Sequence, residues 1–424
     1  YETTCTLALG TGGEACVFGQ TSSTDFPTLN PCQPSFGGGS SDLYLFALSP
    51  GGSALLYSTY LGGSEREFGE GLVLDCSGAP FLGGYTFSID FPTRQAYQPS
   101  HGGDIGLYGD SDMVLARLSS SGSALLYSTY LGGESLDQCH AVALGPDGSL
   151  YLCGETSSND MPTVNPYQAF KADTDGVGAY LARLSPSGSA LIFATYFGGE
   201  DSDEEGVAAA VDGSGCFYVA GVTRAPDLPI ANPYQASNAS DLSGGVPLPD
   251  GFVFKLGPSG SDLIYSTYLG AERTDGAGAL ALDKFGRAYL AGYTYSTAFP
   301  TRDPWQCSRA GNYDAFLAVL SPSGSALEYS TYLGGSGEDR AAGLSRGADG
   351  RLVLAGYTKS EDFPTRNALQ AEWNPGTTAS NYDAFLAGFR TVCQVPVSPT
   401  PPGWLTPPPT PEVPGSPPPP PPPD

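Results

Sequence analysis

The sequence predicts an all-β fold: a β-propeller of six blades, each a four-stranded antiparallel sheet, followed by an extended proline-rich tail. Three observations predict it. A unit of about 65 residues recurs six times along the chain, and internal repetition at such a period is typical of propellers. Each unit divides into four short apolar runs separated by turn residues. No segment shows the 3.6-residue apolar period of an amphipathic helix.

Two short motifs mark the repeat. The segment YSTYLGG, or a close variant, begins at Tyr57, Tyr127, Phe193, Tyr265 and Tyr329. The motif FPT, or a close variant, begins at Phe26, Phe91, Met161, Leu228, Phe299 and Phe363. Six copies of one motif and five of the other predict that the last unit is cut short, so that either its blade has three strands or another segment pairs with its exposed edge. The predicted units are about 1–64, 65–134, 135–201, 202–272, 273–336 and 337–393, and the tail is 394–424.

The strands of each unit follow from its order of motifs. Two strands flank a tight turn rich in Gly and Asp, as in LVLDCSGAPFLGGYT (72–86). The loop with the FPT motif follows, where proline removes a backbone donor and so disfavours a strand. The third strand resembles DAFLAVLSP (314–322), and the turn PSGSA leads to the Tyr-rich fourth strand. Because the first strand has the smallest side chains, we place it next to the propeller axis, with the fourth strand at the rim.

These motifs together resemble the SBBP-type β-propeller repeat family. The resemblance covers about residues 6–393 and is most complete in the unit 278–335, which contains an AYLAGYT strand, a DAFLA strand and a YSTYLGG strand. It implies a secreted or surface-displayed propeller, mostly of bacteria, with no agreed biochemical activity. The family name implies seven blades, whereas this chain carries six units.

Composition restricts the partners. The chain has 44 Asp and Glu against 18 Lys and Arg, a formal net charge of −26. Nucleic acids and anionic lipid surfaces require clusters of basic residues that this chain does not have. The sequence contains no run of about 18 apolar residues, so it predicts no membrane-spanning helix. A first residue Tyr1 rather than Met leads us to expect a mature, extracellular or cell-surface protein whose signal peptide has been removed.

One acidic residue recurs after each YSTYLGG segment. Carboxylates in Gly-rich turns bind Ca²⁺ or accept hydrogen bonds from turn amides, and one acid per unit favours the second, structural role. The recurring acids are Glu67, Asp137, Asp203, Asp275 and Asp339. The densest acidic run is the best candidate for a cation site, through Asp201, Asp203, Glu204 and Glu205. We otherwise expect no cofactor.

Histidine and cysteine give weaker signals. The only histidines are His101 and His140, too few for most acid–base or metal sites, and His140 is interpreted as a packed or channel-facing side chain. Nine cysteines without a CxxC motif favour disulfides over zinc. The candidate pairs are Cys139 with Cys153, Cys5 with Cys16 and, alternatively, Cys5 with Cys393. Asn238 begins an Asn-Ala-Ser sequence and is a candidate for N-linked glycosylation.

The sequence favours a non-enzymatic extracellular structural or interaction protein, displayed on a surface or forming fibres. Assembly is expected through the open edge of the sixth blade, the proline-rich tail, or both, with self-association or other surface proteins and glycans as partners. The tail is expected to adopt polyproline II structure. The alternatives are a carbohydrate- or calcium-dependent adhesive module and, third, a hydrolase.

Overall fold

A computed structural model describes residues 2–103, 110–200, 204–243, 245–347, 349–373 and 382–390, without the side chains of residues 4, 5 and 390. The predicted positions Asp201, Asp203 and Cys393 and the tail 394–424 lie outside these ranges. Six sheets are arranged as propeller blades, five of four strands and the last of three, and every strand pair within a blade is antiparallel. The predicted fold class is therefore confirmed.

The first three blades consist of consecutive strands. Blade 1 contains β1 (Glu2–Leu9), β2 (Ala15–Thr21), β3 (Asp42–Leu48) and β4 (Leu55–Leu61). Blade 2 contains β5 (Glu67–Leu74), β6 (Pro80–Thr86), β7 (Asp112–Leu118) and β8 (Leu125–Leu131). Blade 3 contains β9 (Asp137–Leu144), β10 (Leu150–Thr156), β11 (Gly178–Leu184) and β12 (Leu191–Phe197).

The remaining blades continue this order with one insertion. Blade 4 contains β13 (Glu204–Val211), β14 (Phe217–Thr223), β17 (Asp250–Leu256) and β18 (Leu263–Leu269), and its long loop forms the hairpin β15 (Leu242–Ser243) and β16 (Val246–Pro247). Blade 5 contains β19 (Asp275–Leu282), β20 (Ala288–Thr294), β21 (Asp314–Leu320) and β22 (Leu327–Leu333). Blade 6 contains β23 (Asp339–Arg346), β24 (Arg351–Thr358) and β25 (Asp383–Arg390). The described residues contain no helix, and hence none that could cross a membrane.

The first strands of successive blades pack beside one another around the axis, from β1 to β5, β9, β13, β19 and β23. The core lies between neighbouring blades. One apolar cluster joins Phe81 and Leu115 of blade 2 to Leu152 and Tyr180 of blade 3. The burial of both faces explains why most strands are apolar along their whole length and not only at alternate positions.

A β-bulge recurs in every first strand. In β9 the pairing with β10 shifts between Cys139 and Ala141, so that His140 is the extra residue. The same shift leaves Glu70 unpaired in β5 and Val207 unpaired in β13. A bulge changes the direction of a side chain without ending the strand. The side chains at the bulge positions therefore point in directions that differ from those of a regular strand, close to the propeller axis.

The ring of blades is open between blade 6 and blade 1. No strand of blade 6 packs against blade 1 in the way that successive blades pack, as far as the described ranges show. Leu386 is 79% exposed, whereas Leu317, at the equivalent position of blade 5, is fully buried. On the other side Leu7 is 58% exposed, whereas the equivalent Leu72 is buried. The two end blades therefore present uncovered apolar faces.

Candidate functional site

The outer edge of each complete blade is covered by its own FPT loop. In blade 1 the backbone of Leu29 exchanges two hydrogen bonds with Ser58 of β4, with N···O distances of 2.9 and 3.0 Å. In blade 5 Arg302 and Ser330 exchange the same pair of bonds, at 3.0 and 3.1 Å. These bridges occupy the groups that an exposed edge strand would offer to another chain.

Two side chains of the fourth strand fasten this loop. The Tyr60 hydroxyl accepts a hydrogen bond from the Phe26 amide at 2.7 Å and donates one to the Ser23 carbonyl at 2.8 Å. The Thr59 hydroxyl accepts hydrogen bonds from the Cys32 and Gln33 amides, at 3.1 and 3.0 Å. The YSTY sequence is thus a loop-binding element as well as a strand, which its repetition alone did not reveal.

A glutamine of the FPT loop links the loop to both the third and the fourth strand of its blade. Gln33 Nε2 donates to Asp42 at 3.2 Å, and Gln33 Oε1 accepts a hydrogen bond from the Gly62 amide at 3.1 Å. The equivalent glutamines 98, 168, 235 and 306 accept from a glycine amide at the end of their fourth strands in the same way.

Blade 6 contains the loop but, in the described residues, no fourth strand. Gln370 Nε2 donates to Asp383 at 3.2 Å, as the glutamines of blades 1, 2, 4 and 5 do to their aspartates, but its Oε1 receives no amide from the described residues. Phe363 stacks on Phe385 with ring centroids 4.6 Å apart, matching Phe299 and Phe316 of blade 5. The Phe363 amide donates to the Ser360 carbonyl at 3.3 Å, so the two groups that a tyrosine hydroxyl bridges elsewhere bond to each other. The predicted three-stranded blade is therefore confirmed, and we call the position of its fourth strand, which no described residue fills, the strand socket.

A second group of polar side chains lies near the axis, where β9, β10 and β13 meet. His140 Nε2 is 3.7 Å from Glu155 Oε1 and 3.8 Å from Glu205 Oε1. The side chain of His140 is 14% exposed, that of Glu155 22% and that of Glu205 45%. We call these three residues the axial cluster.

Charge and burial oppose each other in the axial cluster. Burial disfavours the imidazolium, but the nearby carboxylates Glu155, Glu205 and Glu70 outweigh it and raise the pKa of His140. Burial raises the pKa values of Glu70 and Glu205, and the charge of His140 partly offsets this. Arg340 of blade 6 pairs with Glu338 at 2.8 Å and covers the ring of Tyr293.

The recurring acids begin the first strands and are buried. Asp137 is fully buried and accepts hydrogen bonds from Thr156, from Ser158 at 2.9 Å and from the Gly133 amide at 2.8 Å. Glu67, Asp275 and Asp339 make equivalent bonds. In blade 4 this position belongs to Glu204, which bonds to Thr223, and not to Asp203 as the sequence alignment had it. Glu204 and Glu205 are adjacent in β13, and the cation site expected through Asp201, Asp203, Glu204 and Glu205 stays a prediction, because Asp201 and Asp203 lie outside the described residues.

The predicted disulfide Cys139–Cys153 is absent from the structure, and the predicted pair Cys5–Cys16 stays a prediction, because the side chain of Cys5 lies outside the described residues. Cys139 and Cys153 are free thiols. Cys139 lies opposite Gly154, and the bulge after it places Cys139 and Cys153 in different apolar clusters on opposite faces of the blade. Cys16 contacts the Tyr57 hydroxyl at 2.9 Å. Asn238 donates to the Leu248 carbonyl and accepts from the Ser240 amide at 2.9 Å; its glycosylation stays a prediction.

Comparison with known proteins supports the repeat and the fold. Residues 264–300 match the family described as SBBP, beta-propeller repeat, which confirms the resemblance seen in the sequence. No curated protein matches the chain.

Solved structures of similar fold are distant. A Hadza microbial sialidase is 11% identical with a TM-score of 0.42, covering 82% of this chain and 62% of that chain. The NanB sialidase from Streptococcus pneumoniae is 8% identical with a TM-score of 0.44, covering 84% of this chain and 65% of that chain. A polysaccharide lyase, an ulvan lyase, is 7% identical with a TM-score of 0.44, covering 82% and 75%. The chain thus spans less than two thirds of either sialidase, and these likenesses concern the fold alone.

Proposed function

We propose that this chain is a non-enzymatic extracellular interaction protein whose sixth blade is completed by a β-strand from a partner chain. The observation that carries the proposal is the strand socket of blade 6, formed by β25, Gln370, Phe363 and Ser360. An uncovered strand edge binds an extended segment through main-chain hydrogen bonds, and side-chain pockets determine which segment is accepted.

The edge offered by β25 is unprotected. Residues 384–389 read AFLAGF, with no charge and no proline, the two features that usually prevent strand addition. The other blades have no such edge among the described residues, because their FPT loops bridge to the fourth strand. Strand addition is therefore directed to one place on the molecule.

The socket defines the chemistry of its occupant. In blade 5, Phe316, Leu317 and Ala318 lie opposite Tyr332, Thr331 and Ser330. Phe385, Leu386 and Ala387 occupy the equivalent positions in blade 6. The partner strand therefore carries the pattern Ser-Thr-Tyr followed by an apolar residue and glycine, so that its tyrosine hydroxyl inserts between the Phe363 amide and the Ser360 carbonyl.

The test uses a peptide from the chain itself. A labelled peptide of residues 54–63, ALLYSTYLGG, is titrated into the full chain, alongside a peptide in which the threonine is replaced by Ala and the second tyrosine by Phe. We expect saturable binding of the first and at least about tenfold weaker binding of the second, because the four hydrogen bonds described for the equivalent threonine and tyrosine hydroxyls of blade 1 are lost. Amide hydrogen exchange in β25 should slow only with the first peptide.

A variant of the protein locates the binding. Gln370→Ala removes the acceptor for the incoming glycine amide and should weaken binding, whereas Glu372→Gln on the same loop should not. Equal binding of the two peptides, or no binding of either peptide by a monomeric chain, would contradict the proposal. A chain that forms dimers and takes up neither peptide would show that the edge pairs with a second copy. Self-association, glycan binding and a role for the segment 394–424 stay predictions.

A further inference from the structure

We propose that the axial cluster of His140, Glu155 and Glu205 binds one divalent transition-metal ion, with Zn²⁺ as the representative ligand. This site differs from the acidic run in which a cation was expected from the sequence, and shares only Glu205 with it. It is also independent of the strand socket, which lies in blade 6.

The geometry of the donor atoms supports a metal site. The nitrogen of His140 and one oxygen from each glutamate all lie within 4.8 Å of one another. Tetrahedral ligands about 2.1 Å from an ion are separated by about 3.4 Å, so the observed 3.7 and 3.8 Å require only a small contraction. The two glutamate side chains are partly exposed and can adjust to this extent.

The His140 nitrogen has no better partner in the described residues. Nε2 is buried and has no hydrogen bond, since both carboxylate oxygens are too far away for one. A buried ring nitrogen without a hydrogen bond loses free energy unless another group contacts it. An ion between the three donors would satisfy this nitrogen and both carboxylates at once.

The local charge also favours a cation. Glu70 of blade 2 adds a third carboxylate that interacts with His140 and Glu205. Arg340 of blade 6 lies over the ring of Tyr293 of blade 5 and is paired with Glu338. The surroundings of the axial cluster are therefore net negative.

The donor set selects the class of metal. Ca²⁺ and Mg²⁺ prefer oxygen ligands, whereas an imidazole nitrogen favours Zn²⁺, Co²⁺ and similar ions. Three protein ligands leave a fourth position for water or a ligand oxygen. Because His140 and Glu155 belong to blade 3 and Glu205 to blade 4, a bound ion would also cross-link two blades.

The test measures Zn²⁺ and Co²⁺ binding to the full chain after removal of metals. We expect one Zn²⁺ per chain by calorimetry, a visible Co²⁺ absorption band displaced by Zn²⁺, and a higher unfolding temperature with Zn²⁺ but not with equal Mg²⁺. His140→Ala and Glu205→Gln should each weaken Zn²⁺ binding at least about tenfold. Because Glu205 is the most exposed ligand, Glu205→Gln keeps the test valid even if His140→Ala fails to fold.

Glu200→Gln is the matched control. It removes one negative charge from the neighbouring acidic run without touching the axial cluster, and it should leave Zn²⁺ affinity unchanged. Absence of saturable Zn²⁺ binding to the wild-type chain would overturn the proposal. Binding that survives in both ligand variants, or that is lost equally in Glu200→Gln, would overturn it as well.

Discussion

The carboxyl groups of Asp42 and Glu67 come from neighbouring blades and lie against the same glycine. Both side chains are fully buried, and Asp42 Oδ1 and Glu67 Oε2 are each 2.7 Å from the position that a Cβ atom on Gly62 would occupy. Neither of these oxygens has a hydrogen-bond partner in the described residues. Only glycine at position 62 leaves room for this approach. Similar acid pairs join Asp112 with Asp137, Asp250 with Asp275 and Asp314 with Asp339.

These pairs predict that the protein is more stable at mildly acidic pH. Burial raises the pKa of Asp42 to about 6 and that of Glu67 to about 7, and it raises that of Asp250 to about 8. An acid whose pKa is higher in the folded state binds more protons there than when unfolded, so stability falls as pH rises through that range. We expect the free energy of unfolding to decrease as the pH rises from about 4 to about 8, the range between the unfolded and the folded pKa values of these acids. Urea unfolding at several pH values measures this.

Glu67→Gln provides the control for the pH dependence. It keeps one acceptor for Thr86 and Ser88 but removes a titrating group, so the decrease in stability with pH should become shallower. Between blades 3 and 4 the partner aspartate is replaced by Gly178, and the buried side chain of Lys171 lies against it. A stability that increases with pH in the wild-type chain would contradict the assignment.

The uncovered face of blade 6 gives a second prediction. Leu317 and Leu386 are equivalent residues, the first fully buried between blades 5 and 6 and the second 79% exposed. Leu317→Ala should destabilise the protein by about 2–5 kcal/mol, because it leaves a cavity, whereas Leu386→Ala should change stability by less than about 0.5 kcal/mol. Denaturant unfolding of the two variants compares them directly. Equal losses would show that another part of the molecule covers Leu386.

Two tyrosines of β8 give a third prediction. Tyr127 and Tyr130 are both at most 2% exposed. The Tyr130 hydroxyl bonds to the Phe91 amide at 2.8 Å and the Ser88 carbonyl at 2.7 Å, whereas the Tyr127 hydroxyl has no partner in the described residues. Tyr130→Phe should therefore cost about 1–3 kcal/mol, and Tyr127→Phe should be neutral or stabilising. Thermal unfolding distinguishes them, and a reversed order would refute the loop-fastening role of the fourth strand.

The sequence was sufficient for the fold because six copies of one pattern reinforce each other. The repeated GG, FPT and YSTY segments locate the strands and reveal the missing fourth strand of blade 6. Between blades 3 and 4, however, the interval from Gly199 to the structural acid is one residue longer than in other blades, so spacing selected Asp203 where Glu204 belongs.

The axial cluster could not be found in the same way. His140 and Glu205 are far apart in sequence, and only the bulge in β9 and the packing of two blades bring them together. A signal was nevertheless present: His140 and Glu70 both lie three residues after a recurring acid, at positions where other blades have Val207, Gly278 and Ala342. The ionisable side chains at the bulge positions of blades 2 and 3 therefore mark the part of the axis where the axial cluster lies, whereas blades 4, 5 and 6 have small or apolar residues there.

The cysteines give the last prediction, because some are buried and others are exposed. Cys139 and Cys153 are fully buried, and burial raises the pKa of both thiols, whereas Cys76 and Cys307 are exposed. A short maleimide pulse on the native protein should label Cys76 and Cys307, while Cys139 and Cys153 should react only after unfolding. Peptide mass spectrometry reads out each site. A Cys139–Cys153 cross-linked peptide in a non-reducing digest would contradict the placement of these two thiols on opposite faces of the blade.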